Sequence, residues 1–146
     1  MVDTNVALKV YPEEDLADEA QRVLDAGRDG DAELLASTLI LLEFRHALTR
    51  RVRRAEITVA DSQEIWESFG DWPLNFVDIA PLVPRAAEIS VESGCTVYDA
   101  IFVALAEQEE VIVLTADGKL VKALDGTDFA SLLWSLDEVG VLLEDK

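Results

Sequence analysis

Apolar positions recur along this chain with two periods. In residues 13–26, Leu16, Ala17, Ala20, Val23 and Leu24 fall on one helical face, and Gly27 and Gly30 predict the end of that helix. Ser37 or Thr38 is the expected cap of a long helix from Leu39 to about Arg54. Thr58 opens another, with Asp61 in its first turn, running to about Phe69. Pro81 starts a fourth that lasts to about Ser93, and residues 98–110 form a fifth that is apolar almost throughout. Between these helices lie short strand candidates. They are Met1-Val2, ending at Asp3-Thr4-Asn5; residues 33–36; residues 75–79 (NFVDI); and residues 111–114 (VIVL), the most apolar. Strands alternating with helices require crossovers and therefore parallel pairing, and a strand like VIVL belongs where both faces of a sheet are covered. The expected fold is α/β, a three-layer α/β/α sandwich with a central parallel sheet. Right-handed crossovers put the first strand at the centre, and the ligand crevice of such a sheet lies beyond the strand carboxyl ends where strand order reverses.

The 146 residues are the length of one domain, and neither an internal repeat nor a low-complexity stretch divides them, so a single domain over 1–146 is expected. Apolar residues make up 50% of the chain, yet the longest apolar runs, such as 38–42 and 100–106, fall far short of the ~18 residues that span a bilayer. A soluble protein with no membrane segment is expected. Met1-Val2-Asp3 has neither the basic segment nor the apolar stretch of a secretory signal, and Cys95 alone makes no internal disulfide, so the expected compartment is a reducing cytoplasm. Charge changes the picture most. Thirty Asp and Glu against 12 Lys and Arg leave a net charge of −18. A mean hydropathy of +0.16 speaks for a packed core rather than disorder, so this charge sits on the surface, where salt must screen it. A halophilic source is the expectation. Whole-molecule charge repels nucleic acid, so an anionic substrate needs bound cations or a local basic patch.

Four acids stand out from this background. Asp3 follows the first strand and Asp117 follows VIVLT, so neighbouring strands at the switch point would bring the two carboxylates to the mouth of the crevice. Asp99 opens the apolar 98–110 helix, where the helix N-terminus favours its charge. Glu43 interrupts Leu39-Ile40-Leu41-Leu42 and Phe44, and a carboxylate in such an apolar run is costly unless compensated. Mg²⁺ or Mn²⁺, which take hard oxygen ligands and keep several waters, would compensate all four. Singly, each has a plainer reading: Asp99 as a helix-start acid, Asp3 and Asp117 as turn residues. Glu43 fits a plain reading least.

Asp3-Thr4-Asn5-Val6 after a short strand, Glu43 within LLEFRHALTRR, Tyr98-Asp99-Ala100 opening IFVALAEQ, and Thr115-Ala116-Asp117 after VIVL resemble the four acidic motifs of PIN-domain ribonucleases, above all the VapC-type toxins of toxin–antitoxin pairs. The resemblance covers roughly residues 1–124, in order and spacing. It departs from the family in its short start, with only Met1 and Val2 ahead of Asp3. What it implies is hydrolysis of RNA by a divalent-metal-dependent endoribonuclease, with Asp3, Asp99 and Asp117 around Mg²⁺ or Mn²⁺ and Glu43 completing the catalytic cluster. Thr4, Asn5 and Thr115 would hydrogen-bond a ligating carboxylate or a metal-bound water, or serve merely as turn and cap residues. It also implies an antitoxin protein as partner, and a homodimer is expected. A non-catalytic PIN-like binding or scaffold module and a housekeeping RNA-processing nuclease are the alternatives.

Arg45, Arg50, Arg51, Arg53 and Arg54 crowd onto the helix that carries Glu43. Arg45, Arg50 and Arg51 are candidate RNA-binding residues, since Arg grips phosphate bidentately, but cations also gather at helix C-termini to meet the dipole. Trp66, Phe69 and Trp72 form a groove for a partner helix or a piece of the core. His46 is read as structural, and Cys95 as a small buried hydrophobe. The chain contains neither GxxxxGK[ST] nor GxGxxG, and it lacks the Cys and His of a zinc site, which excludes P-loop, dinucleotide and zinc chemistry.

Overall fold

The computed structural model describes residues 1–11 and 14–144. In chain order its elements are α1 (Thr4–Lys9), α2 (Ala17–Asp29), β1 (Leu34–Ser37), α3 (Leu39–Arg53), α4 (Val59–Gly70), β2 (Leu74–Val77), α5 (Val83–Ser93), α6 (Val97–Glu109), β3 (Val113–Thr115), α7 (Gly118–Leu124), β4 (Leu133–Ser135) and α8 (Val139–Glu144). Short 3-10 turns precede α5, β4 and α8.

The sheet is parallel, and the first two residues join its halves. β1 pairs with β2, Leu34 opposite Leu74, and β3 pairs with β4, Val113 opposite Leu133. Between them, the Val2 amide donates to the Leu35 carbonyl at 2.8 Å, Val2 bridges Leu114, and the Leu114 amide donates to the Met1 carbonyl at 2.8 Å. The Met1 ammonium donates to the Ile112 carbonyl at 2.6 Å. The order is therefore β2, β1, Met1-Val2, β3, β4. The chain lays down β1 and β2 on one side of Met1-Val2, then crosses to place β3 and β4 on the other, so strand order reverses between Met1-Val2 and β3. The expected central first strand is present, although it is only two residues long.

Successive strand residues enter opposite layers, as a two-residue period demands. Val113, with Ile89 of α5, Phe102 and Leu105 of α6 and Leu124 of α7, belongs to one core cluster. Leu114, with Val6 of α1, Leu24 of α2 and Ile40 and Phe44 of α3, belongs to the other. Both sheet faces are covered, which is why VIVL carries no polar alternation. Ala100 to Ala106 of α6 are all buried, and this accounts for the most apolar helix of the chain. Among the described residues no single helix is long and apolar enough to cross a membrane.

Several boundaries differ from expectation for local reasons. The helix expected over 13–26 has its start outside the described residues; α2 continues through Gly27 to Asp29. Gly27 is no terminator. A Cβ there would stand 2.6 Å from Leu34 Cδ1, so glycine lets α2 approach β1, and Gly30 at φ +79° makes the C-cap. α1 follows Asp3 at once, because Asp serves equally as turn former and N-cap and Thr-Asn reads as either. The strand expected at 111–114 begins two residues later, at Val113. β4 carries no periodic signal in its three residues and exists by pairing with β3. Thr38 occupies the N-cap of α3 without capping it; its hydroxyl instead accepts from the Ile79 amide at 3.3 Å, tying α3 to the end of β2. Thr58 and Asp61 form the reciprocal capping box of α4.

Candidate active site

Asp3 is the hub of the carboxyl edge. Its backbone leaves the central strand and caps α1, so one carboxylate oxygen accepts from the Val6 amide at 2.8 Å while the other accepts the Thr115 hydroxyl at the end of β3. That hydroxyl also accepts from the Asp117 amide at 3.0 Å. Thr115 thus couples the two turns that meet at the switch point. Asp3 is buried, and the loss of water raises its pKa from 3.8 to about 6. The Thr115 hydroxyl and the Val6 and Asn5 amides offset part of that rise, and the Asp117 charge adds to it.

Glu43 projects from the second turn of α3 toward the same edge. Burial pushes its pKa from 4.5 up to about 7; the adjacent Thr4 hydroxyl works against this, and the charges of Asp99 and Asp3 reinforce it. Its Oε1 and the Thr4 hydroxyl are both buried without a hydrogen-bond partner of proper geometry among the described residues. Asp99, in the first turn of α6, accepts the Thr96 hydroxyl at 2.8 Å while its own amide donates to that hydroxyl at 3.1 Å. Asp117 caps α7, accepting from the Lys119 amide at 2.9 Å and the Leu120 amide at 3.4 Å. Asp3 and Asp117, plainly read as turn residues, serve as helix N-caps, and Asp99 is the helix-start acid of its plain reading; the Asp117 charge acts on Asp3, and those of Asp3 and Asp99 act on Glu43.

Whether this edge suits a divalent cation can be judged from its own atoms. Among the described residues no three Asp, Glu, His or Cys side chains stand close enough to hold an ion unaided. A buried carboxylate oxygen nevertheless lacks a partner, and two carboxyls titrate well above their ordinary range, Asp3 through burial and the Asp117 charge and Glu43 through burial and the charges of Asp99 and Asp3. Hard oxygens with an uncompensated charge fit a hydrated Mg²⁺ or Mn²⁺, which binds through one or two carboxylates and keeps its remaining waters.

The other candidates divide. Thr115 touches Asp3 and Thr4 lies against Glu43, while Asn5 is exposed in α1. Arg45 is turned onto α4: it donates to the Ser62 carbonyl at 3.2 Å and to Gln63 Oε1 at 3.4 Å and lies 5.5 Å from the Trp66 ring centre. Arg51 is paired with Glu14. Arg50 is exposed on the face of α3 that carries Glu43, seven residues on and so ~10 Å along the axis. His46 is exposed one turn from Glu43, so the structural role expected for it is not met. The aromatic stripe is core, not groove: Phe69 stacks on Phe44 at 4.3 Å and Trp72 meets both rings edge-on. Cys95 is buried and free, as expected. The sequence did not single out Ser37 except as a helix cap. It ends β1 at this same edge, fully buried, with an unpartnered hydroxyl among the described residues. A serine before a helix carries no sequence mark that separates these roles.

Fold and site together define a parallel α/β domain with acidic side chains along the carboxyl edge at its switch point. Residues 1–125 match the PIN domain family, and the chain belongs to that family. It is 28% identical over 126 residues to Ribonuclease VapC3 of Pyrobaculum aerophilum, across 84% of this chain and 92% of that protein. In fold it is similar to the crystal structure of PAE2754 from Pyrobaculum aerophilum, with a TM-score of 0.70, 19% identity, and coverage of 99% of this chain and 88% of that one. A toxin-antitoxin complex from Klebsiella pneumoniae contains a chain similar to it at a TM-score of 0.61 and 16% identity, covering 92% of this chain and 95% of that one.

Proposed function

We propose that this protein is a divalent-metal-dependent endoribonuclease that hydrolyses RNA phosphodiester bonds and acts as the toxin of a toxin–antitoxin pair. The observation that carries the reading is a run of linked carboxylates at the switch point, in which the Asp117 charge acts on Asp3 and the charges of Asp3 and Asp99 act on Glu43, whose Oε1 is buried without a hydrogen-bond partner among the described residues. Membership of the PIN family and similarity to Ribonuclease VapC3 support it. Asp3, Asp99 and Asp117 would hold the cation with water, and Glu43 completes the cluster. When bound, Mg²⁺ or Mn²⁺ supplies an acidified water and charge neutralisation at phosphate.

The chain's own residues do the rest. Thr115 and the Val6 amide fix the Asp3 carboxylate, so its orientation is set before any ligand arrives. Thr96 does the same for Asp99. Glu43, with a pKa near 7, accepts or releases a proton at neutral pH and is suited to general-base work at the attacking water. Arg50 is the one of the three candidate arginines left exposed and unengaged among the described residues, which supports it as the one that meets a phosphate.

As partners we propose RNA, an antitoxin and a second copy of the chain, in a reducing cytoplasm of high salt. Exposed Phe76, Val83 and Val91 on β2 and α5 offer apolar surface for self-association despite the net charge. The buried Phe69 and Trp72 are withdrawn as antitoxin contacts. The test is cleavage of total and synthetic RNA with Mn²⁺, with chelator, and by Asp99→Asn, alongside calorimetry with Mn²⁺. Loss of cleavage with chelator and in Asp99→Asn, with the melting temperature retained, is expected. A wild-type chain that neither cleaves RNA nor binds Mn²⁺ would be the scaffold module instead. Toxicity on induced expression, relieved by a co-expressed neighbouring gene product, separates toxin from housekeeping nuclease.

A further inference from the structure

A cavity of about 300 Å³ opens at the amino edge of the sheet, opposite the edge that carries Asp3. Val2, Leu34 and Leu114 of the sheet, Val23 of α2, and Val139 and Leu142 of α8 line it. Its volume is about double the ~150 Å³ in which an apolar cavity takes up benzene, and aliphatic walls offer a water no hydrogen bond. Among the described residues, the lining side chains other than Met1 and Glu33 are all aliphatic. The Met1 ammonium is turned onto the Ile112 carbonyl at 2.6 Å, and the exposed Glu33 carboxylate accepts from Asn75 Nδ2 at 3.0 Å through one of its oxygens. Ala26 and Leu143 line this cavity and also a second hollow, which is polar: its other residues are Arg22, Asp25, Asp29 and Asp31. The Arg22 guanidinium lies over α8, 3.6 Å from where a Cβ on Gly140 would stand. Four lining carboxylates against that guanidinium and the Met1 ammonium leave the joint rim negative.

We propose that the amino-edge cavity binds a small amphiphilic cation, a molecule with an aliphatic or aromatic body and an ammonium head. The body fills the space between the sheet and α8, and the head meets Glu33 and the aspartates beyond Ala26 and Leu143. Size sets the class of occupant. The volume stands at the lower end of the ~300–1,000 Å³ of small-molecule sites, and a partner helix, ~10 Å across with its side chains, does not enter it. Charge sets the sign. The net charge of −18 draws cations toward the surface, and a carboxylate head would meet four acids at the rim. A neutral apolar molecule gains the burial without the charge pairing. The two contributions also answer differently to salt, which screens the exposed head and spares the buried body. Binding there is independent of RNA cleavage.

The experiment is an NMR titration of the full chain, methyl-labelled at Ile, Leu and Val, with octylammonium, 1-octanol, octanoate and methylammonium. Octylammonium is expected to saturate with a dissociation constant of about 1 mM or below, shifting the methyls of Val23, Leu34 and Val139. 1-Octanol should shift the same methyls with about threefold lower affinity, and octanoate with about tenfold lower affinity. Methylammonium, which has the charge without the body, should leave them unmoved. Glu33→Gln and Asp29→Asn, both at exposed positions, should each weaken octylammonium about twofold to threefold and leave 1-octanol unchanged. A loss confined to the charged probe is something a merely structural role would not produce. The proposal is overturned if octylammonium fails to saturate by about 10 mM, if octanoate or 1-octanol binds as tightly, if both variants keep wild-type affinity for octylammonium, or if methylammonium reproduces the shifts, which would mark ordinary counterion attraction to an acidic surface.

Discussion

Glu43 and Phe44 are consecutive residues of α3 and serve opposite purposes. Phe44 is fully buried among the rings of Phe69, Trp72 and Tyr11, where apolar packing stabilises the fold. Glu43 is half-buried beside Asp3 and Asp99, its charge opposed by burial and by like charge. One side of the helix therefore holds the structure together, and the other is held in an unfavourable state by it. A rigid aromatic support is what allows a destabilised carboxyl to keep its position without collapsing or turning to water.

That division can be broken or sharpened by four measurements. Phe44→Ala should have the largest effect, a loss of about 3–5 kcal/mol in urea unfolding, with cleavage per folded molecule also reduced because Glu43 loses its support. A loss below ~1 kcal/mol would mean the cluster collapses around the gap and supports nothing.

The next effect is in pH. Asp3 and Glu43 titrate near 6 and 7 in the fold against ordinary values of 3.8 and 4.5, so the folded chain binds protons that the unfolded chain has released. Without divalent cation, stability should climb as pH falls from 7 toward 4.5, and the buried Asp3 alone accounts for about 2 kcal/mol of that climb. The Met1 ammonium, lowered from 8.0 to about 6, acts oppositely and adds stability between pH 6 and 8, which leaves a shallow minimum near neutrality. Glu43→Gln should flatten the acid limb. Steady loss of stability on acidification would contradict both shifts.

Salt comes third. With −18 to screen, the melting temperature should rise by about 4 °C between 0.2 and 2 M KCl, equivalent to roughly 1–2 kcal/mol. A flat response would remove the halophilic expectation. The smallest effect belongs to Thr58→Ala, which breaks the α4 capping box on neither side of the comparison. It should cost about 1 kcal/mol and leave Mn²⁺ affinity untouched; altered affinity would show that the site depends on more of the molecule than its own edge.

Some of this was legible in the residues alone and some was not. Helices α2 to α6 announced themselves through apolar spacing and through signals such as Thr58 with Asp61, because side-chain burial and capping are repeated along the chain within a few residues, whereas the short α1, α7 and α8 were not expected. The parallel sheet followed from alternation, and the acidic edge was expected from three acids after strands or at a helix start, with Glu43 inside the apolar run of α3. Glu43 was conspicuous since an acid in an apolar run has no local excuse. What failed to show had no local signature. β4 depends on β3, Gly27 on the approach of Leu34, and the burial of Trp72 and Phe69 on Phe44.

The sequence by itself thus determined the parallel α/β class, the family motifs and the identity of the acids, because these rest on periodicity and residue chemistry. Only the tertiary structure decided that Met1-Val2 pairs between β1 and β3, that Thr115 ties Asp3 to the Asp117 turn, that Arg45 and Arg51 face protein groups, and that Tyr98 is left in water. Those outcomes depend on which distant segment arrives opposite each side chain, and a linear pattern of apolar and polar positions does not encode the partner.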